Sequence, residues 1–346
     1  MTTEVTGAAE ATTTDDIAGR GDDRPRFAVN PVVGRELTER LRGLRAFVAL
    51  SSFVLLLTLT AFLVFEGSGA ANDGDLSART SVGRLVFESV LLIMTALVLF
   101  FVPGLAAGAI AGERERQTLA TLQVTLLRPR SILAGKVVAT LAYLLLLVIA
   151  ALPVLAVAWM LGGIRVIDIV RGVVGVVAVA LLLATMVVAV SAFAKRVQTA
   201  TILAFGFTAL LLITGPLLYG IGAVLDARTE GRGDDVAAPA FLLTMNPVAL
   251  VADVGGARTE GFGGPLSGIR DLLLDAKEEN DRRWFALFPA TDGDDFDAPF
   301  GAGIADERDG GGAPIWLLAA VSMTIVAATL FAGATRRLRT PAEVER

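Results

Sequence analysis

The sequence contains no cysteine and no histidine among its 346 residues. Without cysteine, the chain has no disulfide, no thiolate nucleophile and no cysteine-ligated metal site. Without histidine, it lacks the commonest general base and the commonest protein ligand of zinc and haem iron. Together, these two absences exclude most of the chemistry by which intramembrane metalloproteases work.

A phosphate-binding P-loop is missing as well. That motif needs the pattern G-x-x-x-x-G-K-[ST], in which backbone N–H groups and the lysine hold the phosphates. The Gly135-Lys136 pair is followed by Val137 and has Arg130 where the first glycine would stand. We therefore expect this chain itself to bind no nucleotide and no other cofactor, and we interpret Lys136 as a charged anchor at a membrane surface.

Charge is scarce over long stretches such as FVALSSFVLLLTLTAFLVF. Apolar residues make up 54% of the chain, and the mean hydropathy is +0.66. A hydrocarbon layer about 30 Å thick needs roughly 20 apolar residues per helix, and these runs lack the alternation of barrel strands. The sequence therefore predicts an all-α polytopic membrane protein with six transmembrane helices, at about 46–65, 85–111, 137–161, 172–192, 199–225 and 314–334.

Lysine and arginine are distributed unevenly between the two sides that these spans define. They are frequent before the first span, in the second and fourth connections and in the C-terminal tail. The short connections on the other side carry few of them. Because basic loops stay in the cytoplasm, we expect a multi-pass protein of the plasma (inner) membrane with both termini cytoplasmic.

This topology divides the chain into five parts with distinct compositions. From the N-terminus they are a disordered cytoplasmic tail (1–26), an amphipathic helix (27–45), spans 1 to 5 with a charged loop at 112–136 (46–225), a long acidic extracellular segment (226–313), and span 6 with a basic cytoplasmic tail (314–346).

The segment before the first span, NPVVGRELTERLRGLRAF, has the pattern of a helix lying in the membrane interface. Asn30 can cap a helix whose first turn tolerates Pro31. Charged residues occupy the remaining faces. Apolar residues recur every three or four positions, at Val33, Leu37, Leu41 and Leu44.

Span 2 leads into the sequence PGLAAGAIAGERERQTLATLQVT. Pro103 and Gly104 are predicted to kink the helix, because proline removes a backbone hydrogen bond. Small residues follow and allow another helix to approach closely. Thr118, Leu119, Leu122 and Leu126 then form a short apolar stripe, so we expect a stubby amphipathic helix suited to a groove in another protein.

Few charged residues in or near the spans are candidates for chemistry. Glu113 and Glu115 lie two residues apart and would point roughly 200° from each other on a helix. They could not share one substrate, and the sequence favours contacts with arginines of a partner or of the preceding interface helix. Glu88 is expected at the outer interface, and Asp168 with Arg171 as a surface pair.

The extracellular segment contains two further helical patterns. Residues 241–254 are apolar but too short to cross a membrane, which favours a re-entrant or interfacial helix pair over a plain surface loop. Residues 266–288 fit a short amphipathic helix. The apolar positions at helical spacing in that helix are Ile269, Leu272, Leu273 and Ala276.

Both the NPVVGRELTERLRGLRAF segment and the run from GERERQTLATLQVT through SILAGK resemble the ABC-2-type permeases, the membrane subunits of a group of ATP-binding-cassette transporters. The six-span layout and the segment between spans five and six fit the same family. The resemblance implies that 30–45 is an elbow helix and that about 113–130 is a coupling helix, which receives the power stroke of a cytoplasmic ATPase. The residues that match the coupling pattern are Glu113, Arg114, Glu115, Thr118, Leu119, Leu122 and Thr125, with Gly135 and Lys136 at the restart into span 3.

The resemblance also implies the partners. Two permeases, identical or paralogous, would form the path within membrane lipid, and separate ABC ATPase subunits would bind ATP and magnesium. No role in binding nucleic acid is implied. The scarcity of charge within the spans favours outward transport of an amphipathic or lipid-like substrate over a small ion.

Two other classes of function stay open at this stage. One is a membrane-embedded, lipid-modifying enzyme with an acidic extracellular site. Its best candidates are Asp292, Asp294, Asp295 and Asp297, whose spacing lacks the full pattern of a calcium loop. The other is a membrane anchor that recruits an ATPase without transporting anything.

Overall fold

A computed structural model of the chain describes residues 44–69, 76–117, 129–229, 241–256, 263–287 and 314–338. Within these ranges all regular secondary structure is helical, as the predicted all-α class requires. The helices are α1 (Leu44–Gly67), α2 (Leu76–Ala106), α3 (Gly108–Glu115), α4 (Pro129–Leu161), α5 (Val166–Ser191), α6 (Val197–Thr229), α7 (Phe241–Thr244), α8 (Pro247–Gly255), α9 (Pro265–Leu287) and α10 (Ile315–Arg337).

Six helical segments are long and apolar enough to cross a membrane: α1, α2 together with α3, α4, α5, α6 and α10. The predicted number of spans is therefore confirmed, and the chain is a multi-pass membrane protein. The helices extend beyond several of the predicted windows. For example, α4 begins at Pro129, well before the predicted start near residue 137.

Helices α2 and α5 form the centre of the bundle. In the most apolar stretch of each span, 56% of the residues are buried for α2 and 61% for α5. The corresponding shares are 11% for α1 and 17% for α6. Helix α2 packs against α1, α4, α5 and α6, and α5 also packs against α4, α6, α8 and α10. Most of the apolar surface of α1 and α6 therefore faces outwards.

Regular helix is interrupted between α2 and α3, just after the predicted kink residues. Pro103 and Gly104 lie inside α2, and the break comes at Ala107, whose N–H donates to the Pro103 carbonyl at 3.0 Å. Because Pro103 has no N–H of its own, the helix is weakened one turn before this break. The kink itself stays a prediction.

The bundle has two ends with different side chains, the GERE end and the cavity end. The GERE end consists of residues 108–117, 129–136 and 191–197, where α3 ends and α4 and α6 begin. The cavity end consists of residues 80–88, 161–171, 246–256 and 263–270, where α4 ends and α5 begins. Each end unites segments that are far apart in sequence.

Two short helices, α7 and α8, occupy the apolar 241–254 segment at the cavity end. Asn246 caps α8 by accepting a hydrogen bond from the Val248 N–H at 2.9 Å, and Pro247 fills the first helical position. The Asn246 amide also donates to the Leu212 carbonyl of α6 at 3.0 Å. Helix α8 is thereby fixed against the spans, and most of its side chains are buried.

Helix α9 covers most of the predicted 266–288 helix, but its apolar face differs from the prediction in one respect. Leu273 and Ala276 are buried, whereas Leu272 is 57% exposed. The charged side chain of Arg270 lies on the buried face instead. The reason is electrostatic, since a buried acidic partner on α8 receives it, as described below.

Helix α2 passes very close to the C-terminal end of α4 at Gly83. A Cβ atom at this position would lie 2.1 Å from the Gly162 carbonyl oxygen, a backbone atom that cannot move aside. Gly83→Ala should therefore lower the free energy of unfolding by about 1–3 kcal/mol. The measurement is the temperature at which detergent-solubilised protein loses its monodisperse size-exclusion peak.

Gly220→Ala provides the matched control, because a Cβ at this exposed position of α6 meets no atom within 4 Å. We expect its melting temperature to equal that of the unsubstituted protein or to exceed it slightly, since alanine favours helix. Equal melting of the two variants would contradict the close approach of α2 and α4.

Candidate functional site

At the GERE end, Glu113 forms a salt bridge with Lys136. The Glu113 Oε1 and Lys136 Nζ atoms are 2.7 Å apart, and the side chains are only 20% and 10% exposed. The sequence favours arginine beside Glu113, but the structure places Lys136 there because α4 returns antiparallel to α2 and α3. A charge pair this well covered is screened little by water, so it joins α3 firmly to α4.

Arg114 faces a different part of the chain. Its Nη1 atom donates to the carbonyl oxygens of Ala192, at 3.1 Å, and Ala194, at 2.6 Å. These carbonyls lie just beyond the end of α5, where backbone oxygens have no partner in the helix and attract cations. Arg114 therefore ties α3 to the α5–α6 link.

Glu115 faces the start of α6. Its Oε2 atom accepts a hydrogen bond at 3.0 Å from the N–H of Val197, the first residue of that helix. A carboxylate at a helix N-terminus satisfies an N–H that has no partner in the helix and complements the helix dipole. Glu113, Arg114 and Glu115 thus contact three different parts of the bundle.

Ser191, the last residue of α5, stabilises the interruption between α2 and α3. Its hydroxyl accepts from the N–H groups of Ile110, at 3.2 Å, and Ala111, at 3.1 Å, and donates to the Ala107 carbonyl. The N–H groups in the first turn of α3 have no partner in that helix and would be costly to bury alone. Ser191 is fully buried, and nothing in its sequence context distinguishes it from other serines in spans.

Helix α10 also reaches the GERE end. The guanidinium of Arg337 lies 5.5 Å from the centroid of the Phe193 ring, in the geometry of a cation–π contact. Phe193 belongs to the same α5–α6 link that Arg114 contacts. The GERE end therefore connects α3 with α4, α5, α6 and α10.

The remaining predicted coupling and elbow residues are placed as follows. Gly135 and Lys136 are buried near the start of α4. Leu44 is the first residue of α1 and is 77% exposed. The positions Thr118, Leu119, Leu122, Thr125, Val33, Leu37 and Leu41 lie outside the described residues.

A cavity of about 920 Å³ opens at the other end of the bundle. Its walls come from α2, the α4–α5 link, α5, α8 and α10. Its volume is typical of a site for a small molecule. The ionisable side chains that line it are Arg84, Arg165, Arg171, Glu88, Asp168 and Asp253.

Glu88, which the sequence predicts at the outer interface, is fully buried in this wall. Its Oε2 atom accepts the backbone N–H of Ser267 at 2.8 Å, and its Oε1 atom accepts the Ser267 hydroxyl at 2.5 Å. Gly264 passes so close that a Cβ there would lie 2.6 Å from Oε2. Glu88 therefore attaches the start of α9 to α2.

Asp253 joins three helices in the same wall. Its Oδ1 atom is 3.0 Å from the Nε atom of Arg270, and these side chains are 6% and 8% exposed. Its Oδ2 atom accepts the N–H of Trp316, near the start of α10, at 2.8 Å. This buried pair holds α8, α9 and α10 together, and it explains why Arg270 lies on the covered face of α9.

Asp168 pairs with Arg165 rather than with the predicted Arg171. Its carboxylate contacts the Arg165 guanidinium at 3.1 and 3.2 Å and also accepts the Arg165 N–H, so that it caps α5. The hydrogen bond and the charge of Asp168 raise the pKa of the Arg165 guanidinium. Arg171, one turn further along, contributes its charge to the cavity wall.

The acidic extracellular site that the sequence leaves open stays a prediction. In the described part of the chain, no group of three or more His, Cys, Asp or Glu residues is placed to hold a metal ion. The acidic run that contains Asp292, Asp294, Asp295 and Asp297 lies outside the described residues.

Comparison with known families identifies the family to which the chain belongs. A family model described as ABC-2 family transporter protein matches residues 31–254, a range that begins before α1 and ends within α8. It includes the whole GERE end and most of the cavity wall. No curated protein matches the chain. Since the match covers more than half of the 346 residues, this chain belongs to the ABC-2 family of transporter proteins.

Proposed function

We propose that this chain is the permease subunit of an ABC transporter that exports an amphipathic or lipid-like substrate. Two copies, or this chain and a paralogue, form the path. Separate ATPase subunits drive it through residues 112–136 and supply the sites for ATP and magnesium. Membership of the ABC-2 family and six membrane-spanning segments support the role of permease.

One observation carries the mechanical part of this proposal: three successive side chains attach α3 to three different places. Glu113 reaches α4, Arg114 reaches the α5–α6 link, and Glu115 reaches α6. Hydrogen bonds to charged groups are about twice as strong as neutral ones. A push on the segment after Glu115 would therefore move α4, α5 and α6 together.

The distribution of lysine and arginine indicates which end of the bundle faces the cytoplasm. Arg114, Arg116, Arg130, Lys136 and Lys195 are all at the GERE end, and basic connections stay in the cytoplasm. This orientation puts the GERE end next to a cytoplasmic ATPase and both termini in the cytoplasm of a cell whose plasma (inner) membrane holds the spans. The cavity end then faces outwards.

The least buried spans supply a surface for a second permease. On α1, Phe47, Leu55 and Phe62 are 67%, 67% and 57% exposed, and on α6 Ile202 is 73% exposed. Lipid covers such surfaces in an isolated subunit. A second subunit would replace part of that lipid and enclose a path between the two chains.

Replacing Leu119 and Leu122 together with aspartate tests the contact with the ATPase. We expect the permease to reach the membrane normally, because both positions lie in a connection outside the spans. The amount of ATPase that co-purifies should fall about tenfold or more, since two apolar contacts are replaced by buried charges. Co-purification from membranes and substrate-stimulated ATP turnover in liposomes measure the two effects.

The matched control is Leu272→Asp, an exposed leucine of α9 at the cavity end. It should retain ATPase in the normal ratio. Normal ATPase retention in the Leu119/Leu122 variant would refute the proposed contact. Retention of the ATPase without any transport by the unsubstituted complex would instead identify the chain as an anchor.

A further inference from the structure

We propose that the cavity at the cavity end binds an anionic lipid, with its phosphate at Arg171 and an acyl chain along the apolar wall of α5. This site goes beyond the proposed transport function, because lipid could bind there in the permease without an ATPase. The proposal rests on the charges of the wall, its shape and its exposure.

Each carboxylate of the cavity wall already has a partner within the protein, whereas Arg171 has none among the described residues. Asp168 is neutralised by Arg165. Asp253 is neutralised by Arg270, which is not itself part of the lining. The remaining carboxylate of the lining, that of Glu88, already accepts two hydrogen bonds from Ser267. Because each acidic group of the lining has a partner within the protein, an anionic ligand fits this wall better than a cationic one.

Arg171 is the group best placed to bind such a ligand. It lines the cavity and is exposed, and within the described part of the chain no hydrogen bond or ion pair engages its guanidinium. A planar guanidinium can bind two oxygens of one phosphate or carboxylate group at once. An incoming anion would therefore not have to displace a protein partner.

The shape of the cavity fits a ligand that has both a head and a tail. Its lining follows α5 from Arg165 to Ala178, a distance of about 20 Å at the usual rise per helical residue. The charged lining on α5 ends at Arg171, and the side chains beyond it are apolar, including Val174 and Ala178. The headgroup would thus lie at the membrane surface while the chain extends into the hydrocarbon.

The cavity is also open towards the lipid. Val170 and Val174 are 49% and 60% exposed, although both line the cavity within a membrane-spanning helix. Trp316 lies at the rim and is 38% exposed, as aromatic residues at membrane interfaces commonly are. A lipid could therefore enter sideways without first leaving the bilayer.

Fluorescence of Trp316 provides a direct test. The chain has three tryptophans, so Trp159→Phe with Trp284→Phe leaves Trp316 as the reporter. The full chain is placed in phosphatidylcholine nanodiscs that contain a small fraction of either dibrominated phosphatidylglycerol or dibrominated phosphatidylcholine. We expect the anionic brominated lipid to quench Trp316 at a much lower mole fraction than the zwitterionic one does.

Variants of Arg171 identify the group responsible. Arg171→Gln should raise the mole fraction of phosphatidylglycerol needed for half-quenching about tenfold, because one charge-assisted contact is lost. Arg171→Lys should keep most of the preference. The matched control, Arg196→Gln, removes an exposed charge at the GERE end and should change nothing. Val174→Phe, which narrows the apolar wall, should weaken quenching without removing any charge.

Two outcomes would overturn the proposal. One is equal quenching by the two lipids with Arg171 in place. The other is recovery of fluorescence on adding soluble glycerol phosphate at concentrations matched to the lipid, which would assign the site to a free anion rather than a lipid headgroup.

Discussion

Arg270→Met should be among the most destabilising single substitutions in the described part of this protein. It leaves the Asp253 carboxylate, whose side chain is 6% exposed, buried without its cation. Removing one partner of a buried ion pair lowers the free energy of unfolding by about 3–5 kcal/mol. We expect a large fall in melting temperature in detergent and rapid proteolysis near α8 and α9, because this pair links those helices to α10.

A second substitution separates charge from packing. Adding Asp253→Asn to Arg270→Met removes the uncompensated charge but keeps an oxygen that can accept the Trp316 N–H, now 2.8 Å from the Asp253 carboxylate. The double variant should therefore recover a substantial part of the lost stability, as a double-mutant cycle would measure. A double variant no more stable than the single one would mean that the packing of Arg270, rather than its charge, holds the helices.

The control for this prediction is an ion pair at the same end of the bundle. Arg165 binds Asp168 at 3.1 Å, but its side chain is 77% exposed. Water screens such a pair, so Arg165→Met should change the melting temperature little. If Arg165→Met and Arg270→Met melted alike, burial would not be what makes the Asp253 pair important.

The membrane spans could be predicted from the sequence because lipid imposes a simple condition. A helix that crosses hydrocarbon needs a long run of apolar side chains, and such runs can be found without knowing what packs against them. The ends of the helices were harder to predict, since a helix does not stop where the hydrocarbon stops. Helix α4 begins at Pro129 and carries Arg130 and Lys136 before its apolar run.

The partners of charged residues could not be predicted in the same way. Glu113 is 23 positions from Lys136 and Glu88 is 179 from Ser267, so each contact depends on how helices pack. For α9 a usable signal was present, because Leu266, Arg270 and Leu273 have the spacing of one helical face. An arginine at such a position indicates a buried acidic partner, but not which one.

The candidate coupling site was only partly predictable for a related reason. The charges at 113–115 stand out in an apolar chain, and the resemblance to a family assigns them to a coupling helix at about 113–130, which stays a prediction. Charge alone suggests a surface that waits for a partner protein. The structure engages all three side chains within the chain, which makes this segment a joint between helices.

Glu113→Ala together with Glu115→Ala should uncouple ATP turnover from transport while leaving membrane insertion intact. These changes remove the salt bridge to Lys136 and the hydrogen bond to the Val197 N–H, which attach α3 to α4 and α6. Arg114 still holds the α5–α6 link, so the segment keeps one of its three attachments. We expect the amount of substrate moved per ATP hydrolysed to fall about tenfold, in line with the loss of charge-assisted contacts.

The ratio of substrate moved to ATP hydrolysed, measured in liposomes, distinguishes a joint that transmits force from one that only stabilises the fold. Lys195→Gln, an exposed charge in the α5–α6 link, is the control and should leave the ratio unchanged. Exchanging the charges, with Glu113→Lys and Lys136→Glu, should restore much of the ratio. The salt bridge, 2.7 Å long in the unsubstituted protein, can also form with its acidic and basic partners exchanged. A purely structural pair would lower melting temperature, ATP turnover and transport together and leave their ratio at its normal value. Only a joint that transmits the movement of the ATPase predicts continued ATP hydrolysis with little transport.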